Sequence, residues 1–176
     1  MKSIQIPDES LLTDYLDNEI WDIALAQANR SPMIRFRTGA AIYDIKNEIV
    51  VGVGCSHNQL GSQVSSLTTH AEIHAIRDSH ADYRFEDNGF KDCICCIVTI
   101  GRSGGWTRSS RPCMNCAIKL SEAGILAVVY AELCNDGTWI INWESPNELT
   151  DRFVQSNLNH ALHTPYARFM RIPDKC

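Results

Sequence analysis

Two short stretches carry residue types whose spacing fits one kind of chemistry: His70-Ala71-Glu72 and Pro112-Cys113-Met114-Asn115-Cys116. One imidazole and two thiolates make three protein ligands for a tetrahedral zinc ion and leave its fourth position open. An open position matters because a water placed there has its pKa lowered from ~16 to about 7 and becomes a nucleophile at neutral pH. Glu72 follows His70 at a spacing that need not ligate the metal, so its carboxylate is free to carry protons in a hydrolysis. A Cys-x-x-Cys alone fits a structural zinc knuckle or a redox pair equally well, and a lone His-x-Glu carries almost no information. The conjunction, its order, and Pro112 directly before the first cysteine point to a hydrolytic zinc centre, with a purely structural zinc as the alternative.

Elements must bring these residues together, and hydrophobic periodicity outlines them. Apolar positions at helical spacing (Leu12, Leu16, Ile20, Ile23, Leu25) predict an amphipathic helix from about Ser10 to Asn29, ended by Ser31-Pro32. Strands are predicted from about Arg37 to Ile45 and Glu48 to Gly54, joined by a turn at Lys46-Asn47. The polar stretch from Ser56 to Thr69 reads as a loop, after which His70 begins a helix towards His80. Cys93 to Ile100 reads as a third strand, and a loop from Gly101 to Arg111 leads to a helix starting near Pro112 and closed by Gly124. Leu126 to Tyr130 and Thr138 to Trp143 are predicted as the last strands, separated by a turn at Asn135-Asp136-Gly137, and Pro146 opens a final helical region. Two helices that each start at a metal ligand bring His70, Cys113 and Cys116 to the ends of neighbouring strands, where open α/β sheets place their sites. Cys113 and Cys116 lie one helical turn apart, and their helix N-terminus favours thiolate and supplies free amides.

With 176 residues, 44% of them hydrophobic, the chain suits one domain, 1–176. No apolar run is long enough to span a membrane, Met1-Lys2-Ser3-Ile4 does not open a signal peptide, and no repeat is visible. A cytoplasmic protein without membrane association is the expectation. The eight cysteines are read as reduced: Cys113 and Cys116 as metal ligands, and Cys93, Cys95 and Cys96 as buried small hydrophobes. A second zinc is not expected, because Cys55, Cys134 and Cys176 show no ligand spacing with any histidine. His74 is read as a helix-surface or core histidine, and His160 and His163 as tail residues.

The pair of stretches together spells the H-x-E and P-C-x-x-C signature of zinc-dependent nucleobase deaminases. From about Arg35 to Leu149 the chain resembles the cytidine and deoxycytidylate deaminase superfamily. The features of its two branches are mixed. Phe36-Arg37-Thr38-Gly39-Ala40-Ala41 is similar to the first strand of free-nucleoside cytidine deaminases, and Gly54-Cys55-Ser56-His57-Asn58 falls where that branch contacts ribose. The short Asn135-Asp136-Gly137 link implies an antiparallel fifth strand, as in that branch. Departures are His70, where nucleoside enzymes usually carry Cys, and Ser56 and Asn58, where they carry Asn and Glu. The run from Pro112 to Tyr130, with Cys116-Ala117-Ile118-Lys119-Leu120 and Ala123-Gly124-Ile125, resembles deoxycytidylate deaminases instead.

The resemblance implies a three-layer α/β/α cytidine-deaminase-like fold with a mixed five-stranded sheet flanked by helices. It also implies a catalytic core of about 35–149, Zn2+ as cofactor and a homo-oligomer. The expected reaction is hydrolysis of the cytosine amino group of a free nucleoside or nucleotide (cytidine, deoxycytidine or dCMP), giving uracil and ammonia, as in pyrimidine salvage. Glu72 is then the catalytic acid and base, and Ala71 offers backbone groups to the base. Ser110 presents a carbonyl to the amino group being removed. Asn58 is either a sugar contact or an ordinary turn residue. Arg102, Arg108 and Arg111 with Trp106 form either a phosphate clamp with a stacking platform or a solvated loop. The alternative reading is deamination of cytosine or adenine in single-stranded nucleic acid. A formal net charge of -5 argues against that alternative, because strand binding relies on basic surface. A zinc-stabilised binding module is a third reading, in which Glu72 has no part to play.

Overall fold

The computed structural model describes residues 19–58, 68–79, 83, 89–105, 107, 109–133 and 139–163, with side chains to 156 in the last segment. The first element is helix α1, Glu19–Arg30, whose buried stripe is Ile20, Ala24 and Ala28. It ends where Ser31-Pro32 predicts; its expected first turns, with Leu12 and Leu16, lie outside the described residues. Strands β1 (Phe36–Asp44) and β2 (Ile49–Cys55) form an antiparallel hairpin with a register shift at Ile42/Tyr43. Asp44 organises its turn. One carboxylate oxygen accepts the amides of Lys46 and Asn47 at 2.8 and 2.9 Å, and the other accepts the Asn47 side chain at 2.8 Å and the Tyr83 hydroxyl at 2.6 Å. The connection is longer than the expected Lys46-Asn47 turn, and it closes through Glu48 in the left-handed region at φ 57°.

The stretch expected to be loop from Ser56 to Thr69 instead contains two short paired strands, β3 (His57–Asn58) and β4 (Thr68–Thr69). Two-residue strands carry too few positions for a period to register, so the polar composition hid them. Helix α2 (Ala71–Asp78) follows, then β5 (Cys93–Gly101), helix α3 (Met114–Ala123), β6 (Ala127–Leu133), β7 (Trp139–Glu144) and helix α4 (Pro146–His163). Gly124 closes α3 in the left-handed conformation, at φ 85°, as helix C-termini favour. The Asn135-Asp136-Gly137 link lies outside the described residues.

The main sheet has the order β2-β1-β5-β6-β7. β5 pairs antiparallel with β1 and parallel with β6, with α3 as the crossover, and β7 returns antiparallel to β6 as the short link implies. As the central strand β5 is covered on both faces, and its sequence Cys-Ile-Cys-Cys-Ile-Val-Thr-Ile reads as a continuous apolar run. Alternation sends Cys95 and Ile97 into a core with Ala71, Ala75, Ala117, Leu120 and Leu149, and Cys96 and Val98 into a second core with Ile20, Ala24 and Ala28. The sheet is thus the middle of three layers, with α1 on one face and α2, α3 and α4 on the other. Among the described residues no helix is long and apolar enough to cross a membrane.

Candidate metal centre and substrate cleft

Both ligand motifs sit at helix starts, one residue earlier than the helices themselves. His70 is the N-cap of α2 (φ -75°, ψ 152°) and Cys113 the N-cap of α3 (φ -74°, ψ 164°), each extended and without a side-chain capping bond. Pro112 therefore precedes the cap, and α3 begins at Met114 rather than at the proline. An uncapped N-cap frees its side chain to point off the helix end, towards a shared point. His70 Nδ1 lies 3.6 Å from Cys113 Sγ and 3.3 Å from Cys116 Sγ, and the donor atoms of all three residues fall within 4.8 Å of one another. Cys116 is buried and Cys113 exposed, so one side of the set faces outward. An imidazole and two thiols at this separation are the donor types zinc takes, and among the described residues the set holds no fourth protein ligand. The residues fit the metal that the sequence suggests.

These groups are coupled to one another. A hydrogen bond from the Cys116 thiol, seconded by His70, holds the Cys113 thiol down to about 4. The same bond and burial push the Cys116 thiol far up, and the bond to Cys113 raises the imidazole of His70 against its burial.

Glu72 stands in the first turn of α2 and is only 3% exposed. Burial pushes its carboxyl above the usual range, against a backbone hydrogen bond and the nearby His70. It lines an open cleft of about 330 Å³ together with His70, Ala71, Cys113, Ser110 and Arg111, below a rim of Met33, Phe36 and Thr68. Thr38, Ser56, Ile97 and Thr99 complete the lining. A seam of hydroxyls runs beneath it. Ser31 Oγ bonds Ser56 Oγ at 3.0 Å, and Ser56 Oγ accepts the Thr38 amide at 3.0 Å. Thr38 Oγ1 meets Thr99 Oγ1 at 3.2 Å, and Ser110 Oγ accepts the Thr99 amide at 2.9 Å.

The cleft brings together most of the residues singled out in the sequence. Ala71 and Ser110 line it, Ser110 being 2% exposed. Arg111 lines it too, with its guanidinium 4.6 Å from the centre of the Phe153 ring of α4. Its buried Nε has no hydrogen-bond partner among the described residues. Asn58 stands apart from the lining, exposed on β3, where its side-chain oxygen accepts a 3.4 Å bond from the Thr68 hydroxyl. Arg102 lies exposed in the turn after β5. Trp106 and Arg108 lie outside the described residues. Sequence reasoning did not single out Phe36, Thr38 or Thr99 as site residues. The available signal was Phe36, a large aromatic at the outer end of β1 that remains 60% exposed. The cysteines Cys93, Cys95 and Cys96 are fully buried as expected, and burial raises all three thiols, Cys93 to about 12.

Comparison with known proteins bears on the fold and the family. A cytidine deaminase from Burkholderia pseudomallei superposes with a TM-score of 0.54 at 19% identity, over 74% of this chain and 92% of that one. At a TM-score of 0.43 stand a cytidine deaminase from Mycobacterium leprae, 16% identical over 75% of this chain and 98% of that one, and the dCMP deaminase of cyanophage S-TIM5, 15% identical over 70% and 82%. No curated protein matches in sequence. The family model for the cytidine and deoxycytidylate deaminase zinc-binding region matches residues 15–132, a span that contains both motifs, Glu72, strands β1, β2 and β5 and all but the last residue of β6. The chain belongs to the cytidine and deoxycytidylate deaminase family.

Proposed function

We propose that the protein is a zinc-dependent hydrolase that converts cytosine to uracil in a free nucleoside or nucleotide, with release of ammonia. The observation that carries this reading is Glu72, a carboxyl buried at the base of an open cleft beside the His70, Cys113 and Cys116 donor set. A structural metal site has no use for such an acid.

Zinc held by His70, Cys113 and Cys116 would supply an acidified water as nucleophile. Glu72 takes a proton from the attacking water and delivers it to the ring nitrogen of the base, then takes the second proton from the hydroxyl now on the ring carbon and passes it to the amino group, which leaves as ammonia while the C=O bond forms. Its raised affinity for protons suits a group that must hold one between these steps. Ala71 at the first turn of α2 offers its backbone to the base, and the Ser110 carbonyl accepts from the amino group. Phe36 gives the base or sugar an apolar face. Arg111 is the residue for a phosphate or a sugar oxygen, since its Nε lacks a hydrogen-bond partner among the described residues. Thr68 lines the cleft and is the residue for a sugar oxygen, with Asn58 behind it as the acceptor of its hydroxyl, and Trp106 is the stacking residue of the Gly101–Arg111 loop.

The antiparallel β7 favours a nucleoside substrate, and His70 in place of Cys favours a nucleotide. Ammonia release from zinc-loaded protein offered cytidine, deoxycytidine, CMP, dCMP and a cytosine-containing single strand in parallel separates these cases. Turnover of a monomeric substrate is the expected result. Turnover of the strand alone would replace this reading with nucleic-acid editing.

A further inference from the structure

We propose that Cys55, His57 and His74 form a second metal site of the zinc class, outside the cleft, that fastens β2 and β3 to helix α2. Their donor atoms lie within 4.8 Å of one another. All three residues are half-buried, so an ion has a way in, and none of them lines the cleft.

The placement follows from the backbone. Cys55 ends β2 and His57 begins β3, and in extended chain residues two apart project to the same side. His74 comes from α2, one turn beyond His70, whose carbonyl accepts the His74 amide at 3.0 Å. One helix therefore presents His70 to the first donor set and His74 to the second. The approach of helix to strand is allowed by Gly54, where a side chain would stand 2.9 Å from His74 Cβ.

The two rings meet edge to face, 4.7 Å between centroids and 72° apart. His57 Nδ1 lies 3.0 Å from the Cys55 carbonyl oxygen, and His74 Nδ1 3.1 Å from the same oxygen. A backbone carbonyl has two lone pairs and can accept from both rings. Donation of Nδ1–H to a backbone carbonyl is the usual way a protein orients a metal-binding imidazole, because it leaves the other ring nitrogen unprotonated. The Cys55 amide also lies 3.1 Å from His74 Nδ1; a bound ion would select the tautomer that donates to the carbonyl instead. One thiolate and two imidazoles suit zinc, with water as a fourth ligand. Among the described residues no carboxylate belongs to this donor set, which suits a fastening role rather than a hydrolytic one.

The test is metal stoichiometry on the full chain, measured by elemental analysis after zinc loading and desalting, with cobalt as a spectroscopic probe. Wild type is expected to hold two zinc ions per chain, Cys55→Ser or His57→Asn one, and Cys113→Ser/Cys116→Ser one. Cobalt bound to that last variant should show a thiolate-to-cobalt charge-transfer band that disappears when Cys55→Ser is added. Should the Cys113→Ser/Cys116→Ser variant fail to fold, the zinc counts of wild type and His57→Asn decide the matter by themselves. A single zinc in wild type that is unaffected by Cys55→Ser and His57→Asn would overturn the proposal and leave the cluster as a hydrogen-bonded pair of rings. The counts do not depend on which substrate is turned over, so this test and that of the deaminase reading fail separately.

Discussion

Gly54 and Ala71 stand so close that a Cβ on the glycine would lie 2.3 Å from the Ala71 carbonyl oxygen, and 2.4 Å from the Ala75 amide nitrogen. Neither contact is with a flexible side chain, so any residue larger than glycine must push α2 off the sheet. Ala71 sits between His70 and Glu72, and the displacement reaches both. Gly54→Ala is expected to cost about 1–3 kcal/mol of stability, as overpacking does. A shift of the catalytic groups by ~1 Å would lower kcat by about 10²-fold. Urea denaturation with ammonia release checks this; a variant matching wild type in both would mean that the helix has room to move.

Glu72→Gln keeps the shape of the side chain and removes its ability to exchange protons. Turnover should fall by about 10²–10⁴-fold, the usual share of general acid–base catalysis. Zinc content and melting temperature should stay unchanged. Loss of zinc and fold together would point to a structural metal instead.

Chelation should abolish activity, and added zinc should restore it. The two cysteines of the proposed donor set are expected to differ in what else they do. Cys116 is 2% exposed within the packed face of α3, whereas Cys113 is exposed. Both Cys113→Ser and Cys116→Ser should lose activity, but Cys116→Ser should also melt lower in the metal-free state, as scanning calorimetry with and without chelator would reveal.

Asp44 links stability to pH. Burial pushes its carboxyl up, but hydrogen bonds from Tyr83, Asn47 and Lys46 outweigh that and hold it below the usual carboxylate range. A group with a lowered folded pKa stabilises fully above its unfolded value, ~3.9, and the contribution fades as pH falls through the folded value. Asp44→Asn should therefore cost about 1–3 kcal/mol at neutral pH. The gap from wild type should narrow below pH ~4, and urea midpoints at the two pH values measure it. An unchanged gap would mean that the charge on Asp44 contributes nothing.

Arg111 separates nucleotide from nucleoside. If its guanidinium grips a phosphate, Arg111→Gln should raise KM for a nucleotide by about tenfold or more, the cost of one charge-assisted hydrogen bond, with little change for the nucleoside. Equal effects on both would assign Arg111 to its contact with Phe153 alone.

The convergence of His70, Cys113 and Cys116 was legible because its signal is local: the three residues advertise themselves by type and by their places at helix starts. β5 was legible too, as an apolar run that needs cover on both faces. What was not legible depends on neighbours distant in the chain. Cys55 and His57 carry a Cys-x-His spacing, yet they become a donor set only when α2 lays His74 beside them, and no local pattern announces that. The first residues of α2 and α3 fall one and two positions later than the sequence suggests, because His70 and Cys113 act as caps without the usual capping side chains, whereas Gly124 closes α3 as read. Thr38 and Thr99 are ordinary strand residues until the β1 and β5 register sets them opposite each other.

The burial of Cys93, Cys95 and Cys96 has a practical consequence for probing the molecule. A thiol inside a packed strand is closed to reagents, whereas Cys113 is exposed and already inclined to thiolate. Mild alkylation of the native protein should thus mark the metal-free fraction at Cys113 and pass over the three thiols of β5, so that mass spectrometry of the labelled chain reads metal occupancy without any assay of turnover.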